Sequence, residues 1–231
     1  MTTPPAPASA AAAAVLHAWR HAPARGAAGR CIGRTDLPID PRRAKRLAHR
    51  IRAFARRHGL PKIVLSSPLA RCRATGRWLA RWGWQHDVDP LLREIDFGRW
   101  DGGPWAEVAK TAFDAWCADF ANAAPGESGE PVAALLQRVR AFDPGTARVL
   151  VTHGGWLSAA TWLQQHAQAP ERAEQWPATP RHGTRSELAL RIFARAGEGP
   201  AGRLVAPGRP RVSSRPVDPM EQRAWGWREG G

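Results

Sequence analysis

Lysine is nearly missing from this chain of 231 residues, standing only at 45, 62 and 110. Paired cysteines, long apolar runs and internal repeats are missing as well. Each lack closes off a class of protein. The three cysteines, Cys31, Cys72 and Cys117, are odd in number, far apart and without a CxxC pair. That excludes a disulfide framework and a zinc site, and it fits a reducing, cytoplasmic setting. No apolar run reaches the ~18 residues that a membrane span requires, so no membrane partner is expected. The short apolar stretch from Ala10 to Val15 does not read as a secretion signal, because no Lys or Arg precedes Arg20.

Acidic residues are also too few to balance the basic ones, which leaves a net charge of +14. Two functional readings compete for that excess, nucleic acid and small anionic ligands. A third reading needs no function. The excess is almost all arginine and comes with abundant alanine, as the coding bias of a GC-rich genome would produce. No basic–aromatic repeat or nucleic-acid motif is found, so a small phosphorylated molecule is expected as partner and nucleic acid is not.

The length suits one domain with ragged ends. Residues 1–12 are rich in Ala, Pro, Ser and Thr and read as a disordered leader. Residues 197–231 are rich in Gly, Pro and Arg and read as a flexible tail, which leaves 13–196 for the domain. Within it, strand and helix signals alternate. Residues 14–19 read as a strand. Asp40-Pro41 reads as an N-cap with proline at the first helical position, and Leu47, Ile51 and Phe54 follow at helical spacing up to Gly59. Residues 63–65 read as a strand, 68–82 as a helix, 132–142 as a helix, 147–152 as a strand, 155–166 as a helix and 188–193 as a last strand. This alternation predicts an α/β fold of three layers, α/β/α, with a mostly parallel sheet and helices on both faces. In such sheets ligands lie beyond the carboxyl ends of the strands.

The residues at those ends share one chemistry. Arg20-His21-Ala22-Pro23 follows the first strand, Ser67-Pro68-Leu69-Ala70-Arg71 the second, and His153-Gly154-Gly155 the strand ending at Thr152. Arg, His, Arg and His therefore gather at one sheet edge. A core has no need of that set, whereas a phosphoryl dianion does. Guanidinium forks match its oxygens, a neutral imidazole nitrogen can attack phosphorus, and a helix start near Gly155 adds N–H donors.

These motifs resemble the histidine phosphatase superfamily, also called phosphoglycerate mutase-like. Its opening Arg-His-Gly stands here as Arg20-His21-Ala22, with Ala22 in place of the family glycine. Its Ser-Pro-Leu-x-Arg-x-x-x-Thr stands as Ser67 to Thr75, and its Thr-His-Gly-Gly as Thr152 to Gly155. The segment that holds its acid runs from Leu92 to Gly102 and includes Glu94. Four motifs in family order cover roughly 14–165. Gly33 to Pro38, Asp96 to Gly102 with Trp105, and Pro125 to Ser128 look most like the α-ribazole phosphatase branch of cobalamin synthesis.

The resemblance implies a two-step mechanism without metal or other cofactor, acting on a small-molecule phosphomonoester. In it, His21 is the nucleophile, Glu94 the acid and then the base, and Arg20, Arg71 and His153 the clamp on the phosphoryl oxygens. Arg34 and Trp100 are further candidates for substrate contact. Glu94 is preferred over Asp96, Glu107 and Glu127, and Arg71 over Arg73, which lies two residues on and faces elsewhere on a helix. Two other Arg-His-Gly triplets are set aside. Arg57-His58-Gly59 reads as a helix end, with Gly59 as its stop, and Arg181-His182-Gly183 reads as a late loop that could line the pocket. Trp100, Trp105 and Trp116 suit core packing or stacking on an aromatic substrate. His17 reads as a packed strand residue and Cys31 as incidental. A mutase-type transferase and a weakly active or inactive basic binding protein of the same fold remain open as alternatives.

Overall fold

The computed structural model describes residues 15–193. The leader at 1–12 and the tail at 197–231 lie outside the described residues.

Five strands form one sheet in the order β3-β2-β4-β1-β5. They are β1 (Val15–Arg20), β2 (Ile63–Ser66), β3 (Gln85–Val88), β4 (Val149–Thr152) and β5 (Arg185–Ala189). β1 to β4 run parallel, while β5 runs antiparallel along β1. The helices are α1 (Pro41–Arg57), α2 (Ala70–Ala80), α3 (Lys110–Ala118), α4 (Val132–Arg140) and α5 (Gly154–Leu163).

Side chains alternate across the sheet, and the two faces feed two separate cores. Trp19, Val64, Val149 and Val151 pack against Ala44, Leu47, Ala48, Ile51 and Ala55 of α1 and Leu79 of α2. Leu16, Ala18 and Leu150 pack on the other face, against Leu135, Leu136 and Val139 of α4 and Trp156, Leu157 and Ala160 of α5. The expected α/β/α layering is what the chain adopts.

Local chemistry explains most element ends. The Asp40 carboxylate accepts the Arg42 N–H at 2.8 Å, and Pro41 gives up no bond because the first helical N–H has no intrahelical partner. At the other end His58 N–H donates to the Phe54 carbonyl at 3.1 Å, and Gly59 takes a φ of +61°, a backbone conformation that glycine adopts without strain. Arg57-His58-Gly59 is therefore a helix end, as expected. α2 is shorter than the expected span of 68–82. Ser67 to Leu69 form the turn into it, with Leu69 N–H donating to Ser67 Oγ at 3.3 Å, and Trp82 and Trp84 N–H both return to the Leu79 carbonyl in a tightened last turn.

Two elements carried no signal in the sequence, and the last strand needs correction. β3 had no apolar signature, because Gln85–Val88 is an edge strand with mostly solvent-facing side chains. α3 is a nine-residue helix that buries only Trp116. The last strand covers Arg185–Ala189 instead of 188–193, and Leu190–Ile192 form a 3-10 turn. As an edge strand, β5 buries only Leu188, so its pattern is weak. Among the described residues, no helix is long and apolar enough to cross a membrane.

Candidate active site

The parallel ladder continues one residue past the strands. His21 N–H donates to the Thr152 carbonyl at 3.0 Å, and Ser67 N–H donates to the Val151 carbonyl at 3.1 Å. The chain leaving β1, β2 and β4 therefore delivers His21, Ser67 and His153 side by side at the carboxyl edge. The His21 and His153 rings stand 5.1 Å apart, edge to face. Both histidines are buried, as are Arg71 and Glu94.

The hydrogen bonds fix the tautomer of His21. Arg71 Nε always carries a proton, and it lies 3.2 Å from His21 Nε2, so Nε2 is the acceptor. His21 Nδ1 lies 2.8 Å from its own neighbour's carbonyl, Ala22 O, and donates to it. The lone pair is thus on Nε2, where Arg71 Nε–H holds it. Burial, followed by the charges of Arg71, His182 and Arg20, holds this imidazole well below its ordinary pKa, against the raising effect of the Ala22 hydrogen bond. A neutral His21 with its lone pair on Nε2 is what nucleophilic attack needs, once Arg71 Nε turns from the ring to the phosphoryl group.

Ala22 fits where the family has glycine. Glu127 is the only non-glycine residue with positive φ among the described residues, so Ala22 keeps an ordinary backbone, and its methyl packs in the core with Trp19 and Ile39. Its carbonyl, which orients His21, needs no glycine.

Arg71 stands at the start of α2, is 1% exposed, and is spent on three acceptors. Nη1 donates to Thr35 O at 2.8 Å and Nη2 to Gly33 O at 2.6 Å, besides Nε to His21. Arg73 is less buried, so the helix does aim the two arginines differently. Arg20 donates from Nη1 to Pro180 O at 2.8 Å, whereas its Nε is buried without a partner. An unsatisfied buried guanidinium N–H is costly and suits an incoming anion. Gly154 makes room for the Arg20 guanidinium, since a Cβ there would lie 3.1 Å from Arg20 Cζ and would overlap Thr179 Cγ2.

His153 caps α5. Its Nε2 lies 2.7 Å from Ser67 Oγ and 3.4 Å from Cys72 Sγ. Burial, then Arg71, His21 and Arg20, lower its pKa well below the ordinary value. Glu94 reaches the same helix start from below the sheet edge. Its Oε1 accepts from Ile95 N–H at 3.0 Å and Trp156 N–H at 3.1 Å, and its Oε2 accepts from Gly155 N–H at 3.1 Å. All three contacts are of the kind an ionised carboxylate makes. Arg138 of α4 holds the segment in place. It donates to Leu91 O and Arg93 O, both at 2.8 Å, and forks onto Glu130 at 2.7 and 2.6 Å.

The remaining candidates have other partners. Arg34 bridges Asp96 at 3.2 Å and Glu130 at 3.5 Å. Trp100 packs with Trp116 and Phe113. Trp105 and Trp116 belong to the same aromatic group around Phe97. Asp101, whose carboxylate accepts the Gly33, Arg34 and Thr35 N–H groups, ties this segment to the loop under Arg71. His17 packs against Phe54 at 4.9 Å, and Cys31 is fully buried with its backbone bonded to Gly102 and Gly103.

One histidine that carried little weight in the sequence stands in the middle of the site. The His182 ring lies 5.3 Å from that of His21. Gly183 N–H donates to Arg20 O at 2.9 Å, which fixes this turn to the end of β1. His182 is exposed. Desolvation by its partial burial, then the charges of Arg20 and Arg71, lower its pKa to about 3. The sequence signal was the strand that follows: residues entering an edge strand next to β1 must pass the same sheet edge. Among the described residues, no group of three or more His, Cys, Asp or Glu stands close enough to hold a metal ion.

Comparison with known proteins bears on the family and the fold. The sequence profile of the histidine phosphatase superfamily (branch 1) matches residues 16–188. A mycobacterial glucosyl-3-phosphoglycerate phosphatase solved with VO3 is 26% identical, with a TM-score of 0.61 over 76% of this chain and 90% of that one. A structure described as mycobacterial hydrolase 1 is 25% identical, with a TM-score of 0.59 over 75% of this chain and 89% of that one. YhfR of Bacillus stearothermophilus, 20% identical, has a TM-score of 0.60 over 78% of this chain and 98% of that one, a likeness of fold. No curated protein matches the chain by sequence.

Proposed function

Because the chain belongs to the histidine phosphatase superfamily, we propose that its phosphatase chemistry runs through a phosphohistidine at His21. The supporting observation is the Nε2 lone pair of a neutral, buried His21 held against Arg71 Nε at 3.2 Å. In the first step Nε2 bonds to phosphorus, the ester P–O bond breaks, and the departing alcohol takes a proton from Glu94. The positive charge left on the ring is shared through Nδ1–H with Ala22 O. In the second step water bonds to phosphorus and gives its proton to Glu94. The P–N bond then breaks, and His21 returns neutral. The carboxylate contacts of Glu94 match its state between the two steps. Arg20, Arg71 and His153 bind the non-bridging oxygens. In phosphoryl transfer such positioning and charge stabilisation supply most of the rate.

The substrate class proposed is a small phosphorylated metabolite, and α-ribazole 5′-phosphate is the first candidate. Its support is the resemblance of the segments around Gly33, Asp96 and Pro125 to that branch. These segments hold one another through Asp101 and the Arg34–Asp96 pair, and they reach Arg71 through Gly33 O and Thr35 O. A glucosyl-phosphoglycerate is the second candidate, because a similar structure carries that activity in its name. Phosphate release should be measured with pure protein on α-ribazole 5′-phosphate, glucosyl-3-phosphoglycerate and 3-phosphoglycerate, with His21→Ala as control. Release from the first and not the others supports the leading candidate. Release from the second alone replaces it. Isomerisation of 3-phosphoglycerate without release assigns a mutase instead.

A further inference from the structure

We infer that His182 is a specificity-determining residue that hydrogen-bonds the alcohol half of the substrate from the mouth of the pocket. The inference rests on the phosphatase reading above. It begins from the position of the residue. Its ring stands 5.3 Å from that of His21, while His153 lies 5.1 Å from His21. The two neighbours differ in depth. His153 is fully buried and engaged with Ser67 Oγ at 2.7 Å. His182 is exposed, and neither of its ring nitrogens has a hydrogen bond or ion pair among the described residues.

The turn that carries it is fastened on several sides, so the ring is not on a loose loop. Gly183 N–H donates to Arg20 O at 2.9 Å, Arg20 N–H to Thr184 O at 3.1 Å, and Arg20 Nη1 to Pro180 O at 2.8 Å. Arg50 of α1 donates to Gly183 O. Gly183 has a φ of +70°, and a Cβ there would lie 2.7 Å from Arg50 Nη2, so the turn depends on glycine in this place. The fastening points include the backbone of Arg20, the neighbour of the nucleophile.

Chemistry then assigns the role. His21, Arg71, Glu94 and His153 are all at most 7% exposed and form the floor that takes the phosphoryl group. In-line attack from His21 Nε2 sends the bridging oxygen away from that nitrogen, and an ester whose phosphorus lies on the floor must keep its alcohol toward the opening. The charged groups facing His182 are Arg20 and Arg71, both cationic, which favour a neutral ring. A neutral imidazole offers one donor and one acceptor, the pair that a hydroxyl-bearing alcohol can use. An anion alone would use only the donor.

The test separates contact with the alcohol from contact with the phosphoryl group. His182→Ala and His182→Asn should be compared with wild type for KM on the best phosphomonoester found, and for inhibition by inorganic phosphate. The proposal expects KM to rise about five- to tenfold in His182→Ala, the loss of one ordinary hydrogen bond. It expects the inhibition constant of phosphate to move less than twofold, and the amide of His182→Asn to recover part of the KM. An equal rise in KM and in the phosphate inhibition constant would overturn it in favour of a phosphoryl contact. An unchanged KM would leave His182 no substrate contact at all. Failure of the phosphatase reading shows separately, as no phosphate trapped on His21 of the wild type, a readout that does not involve His182.

Discussion

Arg71→Lys keeps the positive charge and removes the fork, and the two have separable consequences. The guanidinium serves His21 Nε2, Thr35 O and Gly33 O at 3.2, 2.8 and 2.6 Å from a site that is 1% exposed. A lysine Nζ is a single point and cannot hold acceptors spread around a planar fork. At least one buried carbonyl is left without a donor, at about 1–3 kcal/mol for each. Adding poorer packing, the expected loss of folding stability is about 2–4 kcal/mol. For a domain of this size that corresponds to a fall in Tm of about 5–15 °C. Catalysis should suffer separately. Loss of one preorganised donor to a developing oxyanion costs about 10²–10³ in rate, or roughly 3–4 kcal/mol. Initial rates measured well below the Tm of the variant, together with thermal unfolding, test both numbers. A kcat/KM within threefold of wild type would refute the reasoning, since charge alone would then suffice.

Three further outcomes follow from the same geometry. Gly155→Ala places a methyl 2.7 Å from Glu94 Oε1, so the carboxylate must leave the helix start; kcat should fall about tenfold or more, as for a displaced acid–base group, and an unchanged kcat would contradict the role of Glu94. Arg138→Met strips the donor from Arg93 O, and leaves Leu91 O with Trp156 Nε1 alone and Glu130 with Arg34 alone; urea unfolding should show a loss of about 3 kcal/mol, and a loss under 1 kcal/mol would mean that the Arg138 clamp is not needed. The pH dependence is set chiefly by His21, His153 and His182, whose folded pKa values are all lowered by burial and then by arginine charge. Below the ordinary value of about 6.5 the unfolded chain binds protons that the folded one refuses, so stability is complete above that pH and falls as pH drops, by about 1.4 kcal/mol per histidine for each full unit. Thermal unfolding from pH 7.5 to 5.0 should show this fall in wild type and a shallower one in His153→Asn.

The fold was legible wherever one face of an element is buried. α1 shows its helical stripe because Leu47, Ala48, Ile51 and Ala55 all meet the sheet. β4 is buried throughout, and apolar from Val149 to Val151, because both its faces are covered. β3 and β5 lie at the two edges, and there half the side chains answer to water, so strand patterning fades. The site divides in the same way. Residues that leave parallel strands could be placed from topology alone, and the structure brings His21, Arg71, Glu94 and His153 together. His182 enters by the antiparallel edge strand, which starts at Arg185, three residues before its apolar signal at Leu188. Arg34 and Trp100 belong to segments whose side chains serve each other: Arg34 is held by Asp96 and Glu130, and Trp100 lies against Trp116 and Phe113. Sequence motifs do not distinguish a residue that reads a substrate from one that holds the loop beside it.

The central claim is a covalent bond between His21 and phosphorus. Wild-type protein, quenched during turnover of a labelled phosphomonoester, should carry acid-labile, base-stable phosphate, and peptide mapping should place it on His21. His21→Ala should carry none and should release no phosphate. Steady turnover by His21→Ala, or wild-type turnover with no trapped phosphate at any quench time, would contradict the account.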